Sequence, residues 1–337
     1  MKFRELGISG LKASVVALGA WAIGGWMWGK TDKQAAIKAI QISIEHGINL
    51  IDTAPAYGFG NSEKIVGEAI RGRRDKVILA TKLGLVWHIQ QGKFFFASNE
   101  KGPSDDGELK IYKYLSPKSI RYEIENSLRR LGVETIDLYQ THWQDPTTPI
   151  VDSMAELLKL KEEGKIRAIG VCNVTLEQLK EYRKVGIVDA DQEKYSMLDR
   201  EHEADLLPFC QKNKIAFLAY SPLAHGLLTG KISPERKYDE GDQRLSNKRY
   251  KPEALNTVKQ MLDEFNPISE EHSVSIAQLV IAWTYHQPGC SHVLVGARKP
   301  QHAAENALAG DIHLSNAELT IISKIIEKYE GKIPSKK

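Results

Sequence analysis

The sequence predicts an α/β protein, specifically a (β/α)8 TIM barrel, and three observations support this fold class. Eight short apolar, β-branched runs alternate with amphipathic helical patterns along the 337 residues. Strands that alternate with helices are typical of a parallel sheet, and eight such units close a barrel. An open, doubly wound sheet would place GxGxxG after its first strand, whereas this chain reads GAWAIGGWMWG there. We therefore predict one barrel domain over residues 1–337. Any nucleotide that it binds must be held without a GxGxxG loop.

The predicted strands are short and regularly interrupted by helices. They cover residues 15–19, 49–53, 77–83, 136–142, 166–172, 190–195, 215–221 and 293–296. Because a barrel of this kind needs only about 250 residues, the surplus falls in 86–114, in 223–250 and in a C-terminal helix near 317–329. The first two stretches follow strands, so we expect them to form long loops on the face where barrel active sites lie.

The helices between the strands have recognisable ends. Ser116 and Pro117 provide an N-cap and a first-turn proline, and Gly132 stops that helix. The next helix is predicted from about residue 150 to 163, before Gly164.

Composition excludes several classes of protein. The net charge of +3 is small for this length, which argues against a nucleic-acid or membrane-surface patch. Cys172, Cys210 and Cys290 are an odd number with no CxxC pair, so neither a disulfide framework nor a zinc site is indicated. The N-terminus lacks an apolar signal-peptide core, and no run approaches about 18 apolar residues. We expect a cytoplasmic protein that binds no metal. It is expected to act on a small molecule, as a monomer or weak homo-oligomer.

Four chemically matched residues lie at or just after the ends of three predicted strands. Asp52 ends one strand, Tyr57 follows it within LIDTAPAYGFG, Lys82 ends the next strand and His142 ends a third. Strand ends of a barrel converge at one mouth. A nearby ammonium is expected to lower the pKa of a tyrosine from its ordinary value near 10, and Asp52 can serve as the counter-ion of that lysine. His142 can then orient a carbonyl whose oxygen Tyr57 protonates.

Each residue also has a purely structural interpretation. An Asp52–Lys82 pair can be an ion pair that only stabilises the fold, Tyr57 can be a packed loop aromatic, and His142 can be a core imidazole. The conjunction of the four at three strand ends favours the functional interpretation.

Sequence motifs over nearly the whole chain resemble one family. They are LGISGLKASVVALGAW, IDTAPAYGFGNSEKIVGEAI, LRRLGVETIDLYQTHWQDP, LKEEGKIRAIGVCNV, DQEKYSML, LAYSPLAHGLLTGK and VGARKPQHAAENALA. The chain thereby resembles the bacterial, NADP-dependent aldo-keto reductases. This resemblance implies a barrel preceded by a β-hairpin, a catalytic tetrad of Asp52, Tyr57, Lys82 and His142, and NADP(H) as cofactor.

The same resemblance assigns residues to the cofactor. Cys172, Asn173 and Gln192 would hold the nicotinamide carboxamide, and Tyr220 would stack on the ring. Residues 221–231, termed the belt below, would cross the pyrophosphate. Arg298, before a helix start, would bind the adenosine 2′-phosphate. The remaining residues implied at the cofactor are Ala20, Trp21, Asp52, Ser221, Pro222, Leu223, Gly226, Leu228, Gly230, Lys231, Gly296, His302, Glu305 and Asn306.

Structural alternatives and departures accompany these assignments. Asn173 and Gln192 can instead cap strand ends, and Arg298 can be a surface cation near a helix start. Cys172 stands where the family commonly has serine, so a weak thiol donor would replace a hydroxyl. His302 stands where relatives often carry glutamine.

Aromatic side chains indicate an apolar substrate pocket. Trp26, Trp28, Trp87 and Trp143 are the pocket candidates, and part of the run 94–96, three phenylalanines, either covers the site or anchors its loop. An apolar mouth favours aromatic or aliphatic carbonyl compounds over sugars.

The resulting hypothesis is an NADPH-dependent oxidoreductase that reduces aldehydes and some ketones, with Tyr57 as proton donor. Two alternatives stay open. One is a cofactor-binding regulatory subunit of a membrane channel with little turnover, and the other is a Schiff-base enzyme that uses Lys82 as nucleophile.

Overall fold

The computed structural model describes residues 1–99 and 101–335. Within them the strands are β1 (Phe3–Glu5), β2 (Lys12–Ser14), β3 (Val16–Gly19), β4 (Leu50–Asp52), β5 (Ile78–Leu83), β6 (Leu85–Val86), β7 (Lys93–Ser98), β8 (Leu109–Lys113), β9 (Ile136–Thr141), β10 (Ile166–Cys172), β11 (Ala190–Lys194), β12 (Ala216–Tyr220) and β13 (Cys290–Gly296).

The helices pack outside the barrel and connect its strands. They are α1 (Lys33–Glu45), α2 (Asn61–Ala69), α3 (Pro117–Leu131), α4 (Ile150–Glu162), α5 (Leu176–Val185), α6 (Leu206–Lys212), α7 (Pro252–Asp263), α8 (Asn266–Glu271), α9 (Ile276–His286), α10 (Pro300–Leu308) and α11 (Asn316–Tyr329). As predicted, Ser116 caps α3 by accepting from the Ser119 amide, and Gly132 ends it at a φ of 67°.

The eight predicted strands form a closed parallel barrel in the order β3, β4, β5, β9, β10, β11, β12 and β13, which confirms the predicted fold class. Alternate residues of these strands point inward. The inward positions carry small or branched apolar side chains, among them Leu50, Ala80, Leu138, Ala168 and Leu218. This packed layer is the floor on which the functional site lies.

The N-terminal hairpin also forms as implied, with β1 and β2 antiparallel. Its residues Leu6, Leu11 and Ala13 are buried in the same cluster as the inward side chains of the barrel. Gly7, at a φ of +64°, lies so close to the Asp189 backbone that an added Cβ would be 2.1 Å from its carbonyl oxygen. Because Asp189 precedes β11, the hairpin closes the N-terminal end of the barrel and leaves the other end for ligands.

The stretch expected as a long loop after β5 contains regular structure that the sequence did not reveal. Strands β6, β8 and β7 pair as an antiparallel sheet in that order. The pairing of β7 with β8 shifts register between Phe94 and Phe96. Three consecutive phenylalanines lack the period-two alternation of a strand, and this bulge is the physical reason why the pattern failed to indicate one.

Candidate active site

Polar side chains occupy the inward positions one layer above the apolar floor. Lys82 and Gln140 are register partners on β5 and β9, and Cys172 and Gln192 are partners on β10 and β11. Asp52 ends β4 beside the bare backbone of Gly19 on β3. On β4, β5, β9 and β11, period two thus leads from an apolar inward residue to a polar one at the open end of the barrel.

The centre of this layer is a buried ion pair. Lys82 Nζ donates to Asp52 Oδ2 at 2.5 Å and to the Thr53 carbonyl oxygen at 3.2 Å. It donates a third hydrogen bond to Tyr57 Oη at 3.1 Å. The lysine side chain is fully buried. The ammonium therefore has all three of its donors satisfied, one of them by the phenol.

The pKa of Tyr57 differs in sign from the prediction. Burial raises this pKa to about 12, and the opposing effect of the Lys82 ammonium does not outweigh it. The predicted net lowering is therefore wrong, because the desolvation of the phenolate was omitted. The pKa of Lys82 is raised as well, since the Asp52 carboxylate and other nearby groups together overcome the effect of burial. Near neutral pH the site holds a phenol, an ammonium and a carboxylate.

His142 completes the predicted group as a neutral imidazole. Its ring centroid lies 5.7 Å from that of Tyr57 in an edge-to-face arrangement. Burial, together with the Lys82 ammonium, holds the pKa of His142 well below its ordinary value. Tyr57, His142 and Asp52 all line one cavity, so a carbonyl compound there can meet the phenol and the imidazole together.

That cavity has a volume of about 860 Å³ and runs from an aromatic end to a cationic end. The side chains at its aromatic end include Trp26, Phe59, Phe95, Phe96 and Trp143. Trp26 stacks on Phe96 with centroids 5.8 Å apart, and Trp143 lies 5.3 Å from Phe95. Part of the phenylalanine run thus covers the site, whereas Phe94 is 48% exposed.

The residues implied at the nicotinamide lie next to Tyr57 and hold one another by hydrogen bonds. Asn173, at a φ of 54°, donates from Nδ2 to the His142 carbonyl oxygen at 2.8 Å and to Cys172 Sγ at 3.1 Å. Its Oδ1 accepts from Tyr220 Oη at 2.9 Å. Burial raises the pKa of the Cys172 thiol well above its ordinary value, so this cysteine is a neutral packing partner.

The belt closes one side of the cavity. Ser221, Ala224 and His225 all have φ between 46° and 61°, which bends the chain tightly after β12. At its far end Lys231 Nζ donates to the two oxygens of Glu305 at 3.0 and 3.1 Å. Because Glu305 lies on α10, the belt is tied across the groove to that helix.

Cationic side chains gather at the far end of the cavity. Arg236, Arg244, Arg298 and Lys299 all line it. Arg298 Nη1 donates to the carbonyl oxygens of Trp28 and Lys30 at 3.0 and 3.4 Å. Burial and the neighbouring Arg244 guanidinium lower the pKa of Arg298. Arg244 is ion-paired with buried Asp242. The accumulated positive charge of the other three side chains favours an anion such as phosphate.

Most of the predicted site residues line this cavity, and five do not. Lys82 lies behind Tyr57, and Ala20 instead donates its amide to the Asp52 carbonyl oxygen at 2.8 Å. Leu228 is fully buried in the main core. Trp87 packs against Phe59, with centroids 5.3 Å apart, in the cluster behind the aromatic end. Gly230 follows at the end of the belt, at a φ of 70°.

The prediction omitted Gln140, Phe59, Arg236 and Arg244. Gln140 donates from Nε2 to Asp52 Oδ1 at 3.0 Å. The period-two rule could have identified it, because it lies two residues before His142 in the predicted strand 136–142. The two arginines lie in the long stretch after β12, where no local pattern specifies the path of the chain.

Comparisons with known proteins agree with this architecture. The Aldo/keto reductase family matches residues 15–327, most of the chain. The chain therefore belongs to the aldo/keto reductase family of oxidoreductases.

Individual relatives cover nearly the whole chain. The NADH-specific methylglyoxal reductase of Escherichia coli (strain K12) is 42% identical over 336 residues, which is 98% of this chain and 100% of that protein. Aldo-keto reductase YhdN of Bacillus subtilis (strain 168) is 39% identical over 303 residues, 89% of this chain and 86% of that protein.

Solved structures show the same fold. The glycerol dehydrogenase AKR11B4 of Gluconobacter oxydans matches with a TM-score of 0.85 and 38% identity, over 97% of this chain and 95% of that one. An aldo/keto reductase of Klebsiella pneumoniae in complex with NADP and acetate matches with a TM-score of 0.71 and 27% identity, over 97% and 96%. In the described part of this chain, no helix is both long and apolar enough to cross a membrane.

Proposed function

We propose that this protein is an NADPH-dependent reductase of aldehydes and some ketones, with Tyr57 as the proton donor. The observation that carries the proposal is the contact of Lys82 Nζ with Tyr57 Oη at 3.1 Å, beside a neutral His142 and inside an elongated cavity. The assigned roles of the site residues are part of this proposal.

The cavity fits a nicotinamide dinucleotide. Gly19 and Gly296 are register partners that line it with bare backbone. An added Cβ at either residue would meet protein atoms only at 3.7 Å or beyond, so packing within the protein does not require glycine there. The missing side chains instead leave room along the groove. Amide groups at one end and arginines at the other suit a carboxamide and a phosphate.

In the proposed reaction a bound reduced nicotinamide supplies the hydride that reaches the carbonyl carbon. His142 is neutral and can donate a hydrogen bond that orients the carbonyl oxygen. Lys82 donates a hydrogen bond to Tyr57 Oη. The hydrogen of the Tyr57 hydroxyl can therefore point at the carbonyl oxygen of the substrate. Tyr57 gives up this proton as negative charge develops on the oxygen, and the ammonium stabilises the resulting phenolate.

The preference for NADPH rests on the cationic end of the cavity. Arg298, with Arg236 and Lys299 nearby, presents forked and charged donors where a 2′-phosphate would lie. The relative from Escherichia coli is NADH-specific, and the structure from Klebsiella pneumoniae contains NADP. The test therefore compares NADPH with NADH.

The substrate class follows from the aromatic end. Rings surround the space beside Tyr57 and His142, and they favour carbonyl compounds with an aromatic or aliphatic group. Methylglyoxal is a small aldehyde of the same reaction class, and the relative from Escherichia coli acts on it.

The two earlier alternatives receive less support. Lys82 is buried and its pKa is raised, so it lacks the free amine that a Schiff base requires. The relatives named above are reductases and a dehydrogenase, and a channel subunit is not among them.

The three cysteines have no disulfide partners, which is compatible with the proposed cytoplasmic location.

The test is oxidation of NADPH, and separately of NADH, over a panel of aromatic, aliphatic and sugar aldehydes together with methylglyoxal. We expect faster turnover with NADPH than with NADH, faster turnover of apolar aldehydes than of sugars, and one alcohol formed per cofactor oxidised. Tight cofactor binding without turnover on any member of the panel would overturn the proposal.

A further inference from the structure

A closed set of side-chain hydrogen bonds lies behind the Asp52–Lys82 pair. Asp52 Oδ1 accepts from Gln140 Nε2 at 3.0 Å and from Gln192 Nε2 at 2.9 Å. Gln192 Nε2 also donates to Gln140 Oε1 at 3.3 Å. We refer to Asp52, Gln140 and Gln192 as the amide triangle. All three side chains are buried.

The chemistry of the amide triangle fixes the orientation of each amide. An ionised carboxylate only accepts hydrogen bonds, so both glutamines must turn their nitrogens toward Asp52. Both N–H groups of Gln192 are then used within the triangle. Its Oε1 accepts a weak hydrogen bond from Cys172 Sγ at 4.0 Å. The second lone pair of this amide oxygen is left for an N–H donor of a ligand.

The backbone beside Gln140 is shaped for its side chain. Gln140 on β9 is the register partner of Gly170 on β10. A Cβ added at Gly170 would lie 2.6 Å from Gln140 Cγ and 3.3 Å from its Oε1. The φ of Gly170 is not in the left-handed region, so the backbone conformation does not require glycine there. The requirement comes mainly from the space that Gln140 occupies, and to a lesser extent from Leu138 Cδ1, which would lie 3.2 Å from the added Cβ.

We propose that Gln140 is a positioning residue that couples recognition of the cofactor carboxamide to the proton donor. Gln140 accepts from Gln192 and thereby holds Gln192 Oε1 as the acceptor for the carboxamide N–H. It donates to Asp52 Oδ1 and thereby leaves Asp52 Oδ2 for Lys82, which contacts Tyr57. Gln140 does not line the cavity itself. This inference rests on the proposed function, because it assumes a bound nicotinamide.

The coupling predicts a specific defect when the amide is removed. Gln140→Met keeps the volume but loses both hydrogen bonds, so the Gln192 amide is free to turn and Asp52 loses one donor. The matched control is Leu138→Met, which changes an inward residue of the same strand in the apolar floor. Thermal unfolding of both variants checks that they fold.

The measurement is cofactor affinity, followed by quenching of tryptophan fluorescence. Each variant is titrated with NADP⁺ or NAD⁺, whichever the wild-type protein binds more tightly, and with the 3-acetylpyridine analogue of that dinucleotide. The analogue replaces the carboxamide NH₂ by a methyl group and so cannot donate to Gln192 Oε1. We expect the wild-type protein to prefer the natural cofactor by about tenfold, roughly the effect of one hydrogen bond to a buried partner.

The expected result is that Gln140→Met reduces this preference to about twofold and lowers kcat for carbonyl reduction about tenfold, whereas Leu138→Met retains the wild-type preference. If Gln140→Met does not fold, Gly170→Ala displaces Gln140 by another route and is expected to reduce the preference likewise.

Two results would overturn the inference while the proposed function stands. One is an unchanged preference in Gln140→Met, with or without a lower kcat. The other is a wild-type protein that binds both dinucleotides equally and still reduces aldehydes. A wild-type protein that binds neither NADP⁺ nor NAD⁺ would overturn the proposed function and this inference together.

Discussion

The cavity has walls of two kinds, and they differ in how the chain builds them. One wall consists of barrel strand ends, where each polar residue has a register partner on the next strand. The other consists of the sheet β6–β8 and the long connection after β12. These segments are joined through Met27, which lies between β3 and α1. The Met27 amide donates to the Lys101 carbonyl oxygen at 3.2 Å, and the Gln243 amide donates to the Met27 carbonyl oxygen at 3.1 Å.

The two walls differ in their proposed roles, which are proton transfer for the strand wall and ligand selection for the loop wall. The strand wall fixes distances of 2.5 to 3.1 Å between Asp52, Lys82 and Tyr57, which proton transfer requires. The loop wall supplies aromatic rings and arginines, which decide the shape and charge of what enters. Changes in the strand wall should therefore affect all substrates, and changes in the loop wall should affect only some.

The largest effect is expected from Lys82→Met. It leaves the Asp52 carboxylate buried without its counter-ion and removes the donor to Tyr57. Urea unfolding should show a loss of about 3–5 kcal/mol, and kcat should fall by about 10²–10⁴-fold for every aldehyde. Lys113→Met is the control, because Lys113 lies over the rings of Phe95 and Trp143 at 4.2 and 4.8 Å but outside the ion pair. Equal losses in both variants would contradict the proposed role of Lys82.

A smaller and selective effect is expected from Arg298→Met at the cationic end. With NADPH, kcat/KM should fall about tenfold or more, because charge-assisted hydrogen bonds to the 2′-phosphate are lost. With NADH, it should stay within about twofold, so NADH provides the internal control. A similar decrease with both cofactors would show that Arg298 acts through the loop carbonyls of Trp28 and Lys30 instead.

Phe95→Ala tests the aromatic end. Phe95 lines the cavity, whereas neighbouring Phe94 does not and is 48% exposed. We expect the KM for an aromatic aldehyde to rise about tenfold in Phe95→Ala, and the KM for methylglyoxal to change within about twofold. Phe94→Ala should leave both values near wild type. Equal changes for the two aldehydes in Phe95→Ala would mean that the ring only supports the sheet.

The sequence predicted the strand wall much better than the loop wall, for physical reasons. Apolar runs, helix caps and the parallel topology determine which residues reach the strand ends, so Asp52, Lys82 and His142 could be placed together. Gln192 was assigned to the site by the family resemblance. The register that pairs Gln140 with Lys82 follows from the closed barrel. The period-two alternation of strand residues, counted back from His142, identifies Gln140 as another inward position. The bulged strand β7 and the arginine-bearing loop depend on contacts between distant segments, which no local pattern encodes. The net pKa of Tyr57 depended on burial, which only the structure could supply.

The smallest effect is expected for the pH dependence of carbonyl reduction. Since the pKa of Tyr57 is about 12 and that of His142 is well below its ordinary value, the phenol and the neutral imidazole both persist from about pH 7 to 9. The kcat for carbonyl reduction should be nearly flat over this range. Alcohol oxidation requires the phenolate, whose fraction rises about tenfold per pH unit below the pKa, so its kcat should increase with pH. Profiles recorded in both directions check this, and a decrease in oxidation with rising pH would contradict it.

The most direct test of Tyr57 as proton donor is a comparison of Tyr57→Phe with the wild-type protein. Both are measured for NADPH affinity by fluorescence and for aldehyde reduction. Loss of the hydroxyl should lower kcat by about 10²–10⁴-fold and leave the Kd for NADPH within about twofold, because the ring still packs on Trp21 at 6.1 Å. Near wild-type reduction with unchanged affinity would contradict the assignment.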